Sequence, residues 1–219
     1  VSEITTKLSN NTVIVLGNEG ILTPLLSNLN IVDKKWNVTM GYKLTQLPIV
    51  RFFLAYFNLH SGFSNNNFKT TSLSEIINNT FFKKFIFNNQ IDKSETLNKV
   101  ILSSHDKISY EKIKCLFDSE ILIKVFSSKE DAFICLEDSI TILNFVKKNK
   151  YLDEFNISVS DILLDTLEEM RIESKSNHFK IPKDALYYIM KESLKTKKLD
   201  FRGDKLNSIQ IMGILQTRA

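Results

Sequence analysis

The stretch Val13-Ile14-Val15-Leu16-Gly17-Asn18-Glu19-Gly20 decides the fold class of this 219-residue chain. Four consecutive apolar residues, mostly β-branched, predict a strand, and the two glycines mark the turn that ends it. An apolar helical pattern begins at once, at Ile21 and Leu22. Because a half-exposed strand would alternate apolar and polar residues, this continuous run predicts a parallel sheet that is covered on both faces.

Two further β segments lie on either side of a long helical region. They are residues 36–42 and residues 209–215, and between them the apolar residues recur at spacings of three and four. The spacing predicts a surface loop at 61–71 and helices at 45–59 (capped by Thr45), 72–82, 94–103, 110–117, 129–149, 159–174 and 182–195. We therefore predict an α/β protein in which residues 1–44 and 199–219 form one parallel sheet layer. Residues 45–198 then form a large, mainly α-helical inserted subdomain.

The composition is that of a folded globular protein, with 43% hydrophobic and 25% charged residues. The net charge of +4 is too small to identify a nucleic-acid binder. No apolar run approaches the roughly 18–20 residues that cross a bilayer, so we expect a soluble protein with no membrane partner. Cys115 and Cys135 lie in apolar helical patterns, which favours buried, reduced thiols in a cytoplasmic protein. Because the chain starts at Val1 and ends directly after a strand, we expect an internal piece of a longer protein.

The sequence contains no catalytic or metal-binding pattern. The turn at 17–20 lacks the Lys and Ser/Thr of a phosphate-binding loop, and it places Glu19 where an anion would lie. The histidines, His60, His105 and His178, are far apart and lack the spacing of zinc ligands. Glu173-Ser174-Lys175 has the letters of a nuclease motif, but it falls on a predicted helix instead of a strand. We therefore predict no catalytic residue, no metal site and no cofactor within this chain.

Two basic segments are candidates for contact with nucleic acid. Residues 81–87 interleave Phe and Lys, and residues 191–205 are rich in Lys, including Lys197 and Lys198. Such residues can stack on bases and contact phosphates. We favour the alternative, in which the Phe side chains belong to the core and the lysines form a solvated face or a basic helix C-terminus.

Three segments occur in a characteristic order along the chain. They are Val15-Leu16-Gly17-Asn18-Glu19-Gly20-Ile21-Leu22, Asn37-Val38-Thr39-Met40-Gly41-Tyr42, and Ile209-Gln210-Ile211-Met212-Gly213-Ile214-Leu215-Gln216-Thr217-Arg218-Ala219. In this order they resemble the AddB-like, inactivated superfamily I helicases of Bacteroidetes, whose polypeptides end in a PD-(D/E)XK nuclease domain. The resemblance implies that the three segments form part of the second RecA-like domain, with the helical subdomain inserted before the third segment.

The resemblance also implies roles for individual residues. Its structural motif positions are Gly17, Glu19, Asn37, Met40, Gly41, Met212 and Gly213. Met212-Gly213 stands where active relatives carry a Thr-x-His-type motif that links bound DNA to the ATP site, and Gln216 replaces the usual Glu of the family. The resemblance thus implies a non-catalytic scaffold, with the nuclease domain outside this chain. The parent protein would be a DNA exonuclease or a helicase-like hydrolase.

We therefore expect a scaffold that guides DNA, either single-stranded or at a duplex end, and holds an AddA-like helicase subunit in double-strand break repair. Ligands of parallel sheets bind at the carboxyl ends of the strands. The candidate DNA-binding residues are accordingly Thr39, Tyr42, Gln216, Thr217 and Arg218, together with Lys197 and Lys198. One alternative is the second lobe of an active ATP-dependent DNA helicase. Another is a protein-interaction domain that makes no contact with DNA.

Overall fold

The computed structural model describes residues 12–18, 21–22, 24–25, 36–38, 44–86, 91–117, 119–129, 131–148, 152, 154–176, 181–197 and 209–213. The chain divides into two compact units. One comprises Val1–Tyr42 and Lys198–Ala219, and the other is Lys43–Lys197. The boundaries that we expect from the sequence, after residues 44 and 198, differ from this division by one or two residues.

The first unit contains a three-stranded parallel sheet. Its strands are β1 (Val13–Leu16), β2 (Trp36–Val38) and β5 (Ile209–Gly213). The numbers β3 and β4 belong to two short strands of the second unit, which precede β5 in the sequence. Strand β5 lies between the other two, so that Ile211 aligns with Ile14 on one side and with Val38 on the other. The predicted parallel sheet is present but small, and strands that are far apart in the sequence are neighbours in it.

Among the described strands, β1 lies at an edge of the sheet and has an exposed side. Val13 and Val15 are 52% and 47% exposed, whereas Ile209 and Ile211 of the central strand are 1% and 0% exposed. The prediction that this strand is covered on both faces is therefore wrong. Valine favours the strand conformation at an exposed edge as well as in a core, so the apolar run does not distinguish the two positions.

The second unit is mainly helical, as predicted. Its helices are α1 (Pro48–Ser61), α2 (Thr70–Ile77), α3 (Ile91–Leu102), α4 (Tyr110–Ile113), α5 (Glu120–Phe126), α6 (Ala132–Lys148), α7 (Glu154–Ser176) and α8 (Lys183–Thr196). Single 3-10 turns occur at Leu44–Gln46 and Lys114–Leu116, and a π-helical turn at Phe82–Ile86. Thr45 lies in the first 3-10 turn and does not cap α1. The cap position belongs to Leu47, and Pro48 begins the helix, where its missing N–H has no hydrogen bond to lose.

Helix α1 is the centre of this unit. Ten of its 14 residues are buried, and its exposed residues are Arg51 and Asn58. It lies against α2, α6, α7 and α8. A helix that is apolar on nearly every side can be stable only when neighbouring elements surround it. The arrangement of the other helices follows from that requirement.

Aromatic side chains fill the core beside α1. The ring of Phe52 packs against those of Phe81 and Phe82, with centroids 5.6 and 5.9 Å apart. Phe126 is stacked on Phe117 at 4.2 Å and meets Phe82 edge-on at 5.8 Å. Phe81 and Phe82 are 2% and 0% exposed. The core interpretation of these two residues is therefore confirmed.

A small antiparallel sheet replaces part of the predicted surface loop at 61–71. Strand β3 (Asn67–Lys69) pairs with β4 (Lys107–Ser109), and Phe68 lies opposite Ile108. The chain enters β3 through a tight turn in which Asn65 and Asn66 both have positive φ, at 50° and 59°. Two consecutive residues in the left-handed region form the turn that suits a β-hairpin, and asparagine tolerates this region better than most residues. The loop prediction is therefore wrong for these residues and for the start of α2.

We expect Phe126→Ala to lower the free energy of unfolding by about 3–5 kcal/mol, because it empties space between two aromatic rings in the core. Phe145→Ala makes the same substitution at a residue that is 41% exposed and should cost clearly less. Urea denaturation of both variants measures the difference. Equal losses would contradict the central place of Phe126 in this core.

Candidate functional site

Most of the predicted DNA-binding residues lie outside the described residues. These are Thr39, Tyr42, Lys198, Gln216, Thr217 and Arg218, and the motif residues Glu19, Met40 and Gly41 also lie there. Lys197 is described, directly after α8. Its Nζ atom lies 2.7 Å from Oε2 of Glu169, and the two form an ion pair with α7. The charge of Lys197 is thus partly neutralised within the protein.

The remaining motif residues lie in or beside the parallel sheet. Gly17 follows β1, Asn37 is in β2, and Met212 and Gly213 end β5. Leu16 aligns with Gly213, the last residue of β5. Parallel strands bring their carboxyl ends to one edge, which is where α/β proteins bind ligands. Strands β1 and β5 therefore end at the same edge of the sheet.

A buried ion-pair network in the helical unit was not predicted from the sequence. Lys129 lies between α5 and α6 and is 2% exposed. Its Nζ atom donates to the carbonyl oxygen of Lys124 and to Oγ of Ser127, both at 2.7 Å, and lies 2.5 Å from Oδ2 of Asp138. Lys183 of α8 donates in turn to the carbonyl oxygen of Lys129 at 2.7 Å. The network ties α5, α6 and α8 together.

The charge of Lys129 is retained in the core by its partners. Burial lowers the pKa of Lys129, whereas the hydrogen bond and the negative charge of Asp138 oppose that change. Asp138 also forms an ion pair with Lys124, whose Nζ lies 3.1 Å from Oδ1. Because the ammonium group of Lys129 already donates to three oxygen atoms, it has no N–H left to donate to a substrate. We therefore assign the network a structural role.

Three buried titratable residues lie in the same core. His60 donates from Nε2 to the carbonyl oxygen of Val125 at 2.9 Å. Burial and the charge of Lys129 lower the pKa of His60 to about 3. Burial raises the pKa of Cys135 to about 12 and also raises the pKa of Tyr56. All three are neutral near pH 7, and His60 is too weak a base, and Cys135 too fully protonated a thiol, for catalysis.

The other candidate residues do not form a reactive group. Within the described ranges, no cluster of three or more His, Cys, Asp or Glu side chains could hold a metal ion. Glu173-Ser174-Lys175 is part of α7, and Nζ of Lys175 lies 4.8 Å from the centre of the Phe133 ring. His105 is exposed and His178 lies outside the described residues. No helix in the described part of the chain is long and apolar enough to cross a membrane.

The predicted burial of both cysteines is correct for Cys135 and wrong for Cys115. Cys115 is exposed and lies in the 3-10 turn that follows α4, where Phe117 is the buried residue. The short turn changes the helical periodicity on which the prediction depended. In a continuous α-helix the side chain of Cys115 would lie on the buried face, but in this 3-10 turn it lies on the exposed side.

A polar cleft of ≈ 410 Å³ lies between the start of α1 and α2. It is lined by Pro48, Arg51, Thr71, Ser74, Glu75, Asn78, Asn79 and Thr80. Arg51 and Glu75 have no ion pair with each other or with any other residue in the described ranges. Arginine is well suited to bind a phosphate or carboxylate, but Glu75 balances its charge. The cleft therefore has no net preference for an anion.

The sequence has no match among models of protein families or among curated proteins. The described residues form a unit with a small parallel sheet, whose strands are discontinuous in sequence, and a mainly helical unit. A functional conclusion must therefore be built from its own residues and their geometry.

We expect the stability of the protein to fall as the pH decreases from 6.5 towards 3. The folded state holds His60 neutral with a pKa of about 3, whereas the unfolded chain has the ordinary value of 6.5. Between these values the unfolded state binds more protons, so this residue contributes a decrease of about 1.4 kcal/mol per pH unit. The contribution is fully present above pH 6.5 and is lost as the pH falls.

Urea denaturation of wild type, His60→Gln and His105→Gln between pH 4.5 and 7.5 measures this effect. The pH dependence of the unfolding free energy should be shallower for His60→Gln than for wild type, by the uptake of about one proton. His105→Gln makes the same substitution at an exposed position and is the control. An unchanged slope in His60→Gln would contradict the assignment.

We expect Asp138→Asn to lower the free energy of unfolding by about 3–5 kcal/mol, because it leaves the buried ammonium of Lys129 without a counter-charge. Asp161→Asn removes the ion pair with Lys147, in which the Asp161 side chain is 56% exposed, and should cost less than about 1 kcal/mol. Thermal and urea unfolding of the two variants compare the same chemical change in a buried and an exposed pair. Equal costs would show that the network does not stabilise the core.

Proposed function

We propose that this chain is the non-catalytic, helicase-like scaffold part of an AddB-like helicase–nuclease subunit. In that role it guides single-stranded DNA or a duplex end and holds an AddA-like helicase subunit during double-strand break repair. The sheet unit would be part of a second RecA-like domain, and residues 43–197 would be its helical insertion.

The observation that carries the proposal is the order of the parallel strands. Strand β5 follows the helical residues in the sequence, but it lies between β1 and β2 in the sheet. A helical unit that interrupts a parallel sheet is the arrangement that the sequence resemblance implies. The support is an analogy of architecture and motif order, and fold alone does not determine function.

A scaffold role is favoured over catalysis by the residues at the end of β5. Met212 and Gly213 are its last residues, and neither carries a group that could act as an acid, a base or a ligand to nucleotide. Among the described residues, the buried His60 and Cys135 are neutral near pH 7. Their burial deprives both of the proton exchange that catalysis requires.

Exposed apolar side chains on the helical unit support the proposed contact with a protein partner. Leu102, Ile172 and Tyr188 are 85%, 61% and 68% exposed. Tyrosine is enriched among the residues that supply most of the binding energy of protein interfaces. The same residues suit the rival function of a protein-interaction domain, which makes no contact with DNA. DNA binding is therefore the property that separates the two.

We expect the 219-residue chain to bind fluorescently labelled single-stranded and forked DNA in anisotropy titrations, more tightly at about 50 mM than at about 200 mM NaCl, since phosphate contacts release counterions. Arg218→Gln should weaken binding about threefold to tenfold, because Arg218 is the residue that we assign to a phosphate. Lys148→Gln removes one positive charge from an exposed position on α6 and should change the affinity less than twofold.

Undetectable binding by a well-folded sample would exclude the DNA-guiding role, and capture of a helicase subunit without DNA would then favour the interaction domain. If Arg218→Gln and Lys148→Gln weaken DNA binding equally, Arg218 is not part of the DNA-binding site. DNA-stimulated ATP turnover by the parent protein would instead support the second lobe of an active helicase.

A further inference from the structure

Two lysines face each other across the small antiparallel sheet of the helical unit. Lys69 of β3 and Lys107 of β4 are direct partners in the register. Side chains at opposite positions of an antiparallel pair lie on the same face, with Cβ atoms about 4.5–5.5 Å apart. Both lysines are exposed. The sheet thus presents two adjacent positive charges to solvent.

The buried face of this sheet fixes the direction of both lysines. Phe68 and Ile108, the residues next to them in the strands, are 0% and 1% exposed and lie opposite each other. Because side chains alternate between the two faces of a strand, burial of this pair places Lys69 and Lys107 on the outer face. Asn67 and Ser109 form the other pair on that face and carry groups that can form hydrogen bonds.

Neither lysine is neutralised within the described part of the chain. The nearest acidic residue in sequence is Glu75 for Lys69, and no ion pair joins the two in the described ranges. For Lys107 the nearest are Asp106 and Glu111, and Glu111 forms an ion pair with Lys114. No ion pair joins Asp106 to either lysine. Like charges directly opposite each other destabilise a sheet, so this pair works against folding unless an anion lies between or beside the two ammonium groups.

We propose that the outer face of the β3–β4 sheet binds the sugar–phosphate backbone of DNA, with Lys69 and Lys107 each contacting a phosphate. The proposal rests on the DNA-guiding function proposed above and adds a second contact surface, on the helical unit. Phosphate supplies the negative charge that the pair lacks, and two adjacent lysines suit a chain of regularly repeated charges. The binding is independent of base sequence, since neither group reads a base edge.

The polar cleft beside α1 is a weaker candidate for the same ligand. It has one cation, Arg51, and one anion, Glu75, so the approach of a phosphate gains little from its net charge. Lys197 is weaker for a similar reason, because its ion pair with Glu169 already partly neutralises its charge. The Lys69–Lys107 pair is the site where bound phosphate would relieve an existing repulsion.

The experiment compares two double variants of the full 219-residue chain that lose the same total charge. Lys69→Gln/Lys107→Gln removes the opposed pair. Lys99→Gln/Lys148→Gln removes two exposed lysines, on α3 and α6, that are not partners in any strand. Both are titrated with labelled single-stranded DNA from about 50 to 200 mM NaCl, and the thermal unfolding of each is recorded.

The first variant should bind about fivefold to tenfold more weakly at 50 mM NaCl. Its slope of log affinity against log salt should be shallower by about 1.4, which corresponds to two phosphate contacts on a single strand. The control should stay within about twofold of wild type. We also expect the first variant to melt no lower than wild type, because the repulsion is gone while Phe68 and Ile108 remain.

The outcomes separate this inference from the function on which it rests. If wild type binds DNA and the two double variants bind equally well, the sheet is not a contact surface, but the DNA-guiding function stands. If wild type does not bind DNA, both proposals fail. A lower melting temperature for Lys69→Gln/Lys107→Gln would show that the lysines stabilise the fold, which contradicts the repulsion argument.

Discussion

The burial of helix α1 is the constraint on which the rest of the helical unit depends. Its residues from Ile49 to His60 are mostly apolar and buried, and only a narrow stripe with Arg51 and Asn58 reaches solvent, so other elements must cover the rest of the helix. Helices α2, α6, α7 and α8 lie against it, and aromatic rings from Phe81, Phe82 and their neighbours complete its surroundings. His60 belongs to the same buried surface, and its ring needs a hydrogen-bond partner there. The carbonyl oxygen of Val125 provides one, so the position of α5 is coupled to α1.

The ion-pair network around Lys129 allows a charged ammonium group to be buried in the same core. A charge transferred from water to an apolar interior costs several kcal/mol unless its hydrogen bonds are replaced, and here two oxygen acceptors and a carboxylate replace them. The contact between Lys183 and the carbonyl oxygen of Lys129 adds α8 to the group. A hydrophobic residue at position 129 would fill the space without specifying this arrangement of three helices. The network therefore connects α5, α6 and α8 through hydrogen bonds and an ion pair.

Charged groups on the surface of the helical unit differ in whether they have partners. Lys147 pairs with Asp161, Arg171 with Glu137 and Lys197 with Glu169, so much of the positive charge is already balanced by neighbouring helices. The opposed Lys69 and Lys107 depart from that pattern. Net charge alone, at +4, gives no indication of a binding surface. The β3–β4 sheet is distinguished by two adjacent lysines that have no ion pair in the described part of the chain. It is proposed as a DNA contact surface in addition to the predicted strand-end residues of the other unit.

Local periodicity along the chain predicts most of the secondary-structure elements. The run at 13–16 indicates β1, the spacings of three and four indicate most of the helices, and the apolar stretch at 209–213 indicates the last strand, because each pattern reflects which side chains one element can bury. Contacts between residues far apart in sequence place β5 between β1 and β2 among the described strands, leave the side of β1 exposed, and pair residues 67–69 with β4 as a strand. A strand of three residues is too short to show a clear periodic pattern, so pairing with a neighbouring strand decides whether it forms. The environments of Lys129, Lys69 and Lys107 also depend on distant residues. The sequence around a lysine does not show whether it lies beside a carboxylate in a core, in water, or opposite another lysine in a sheet.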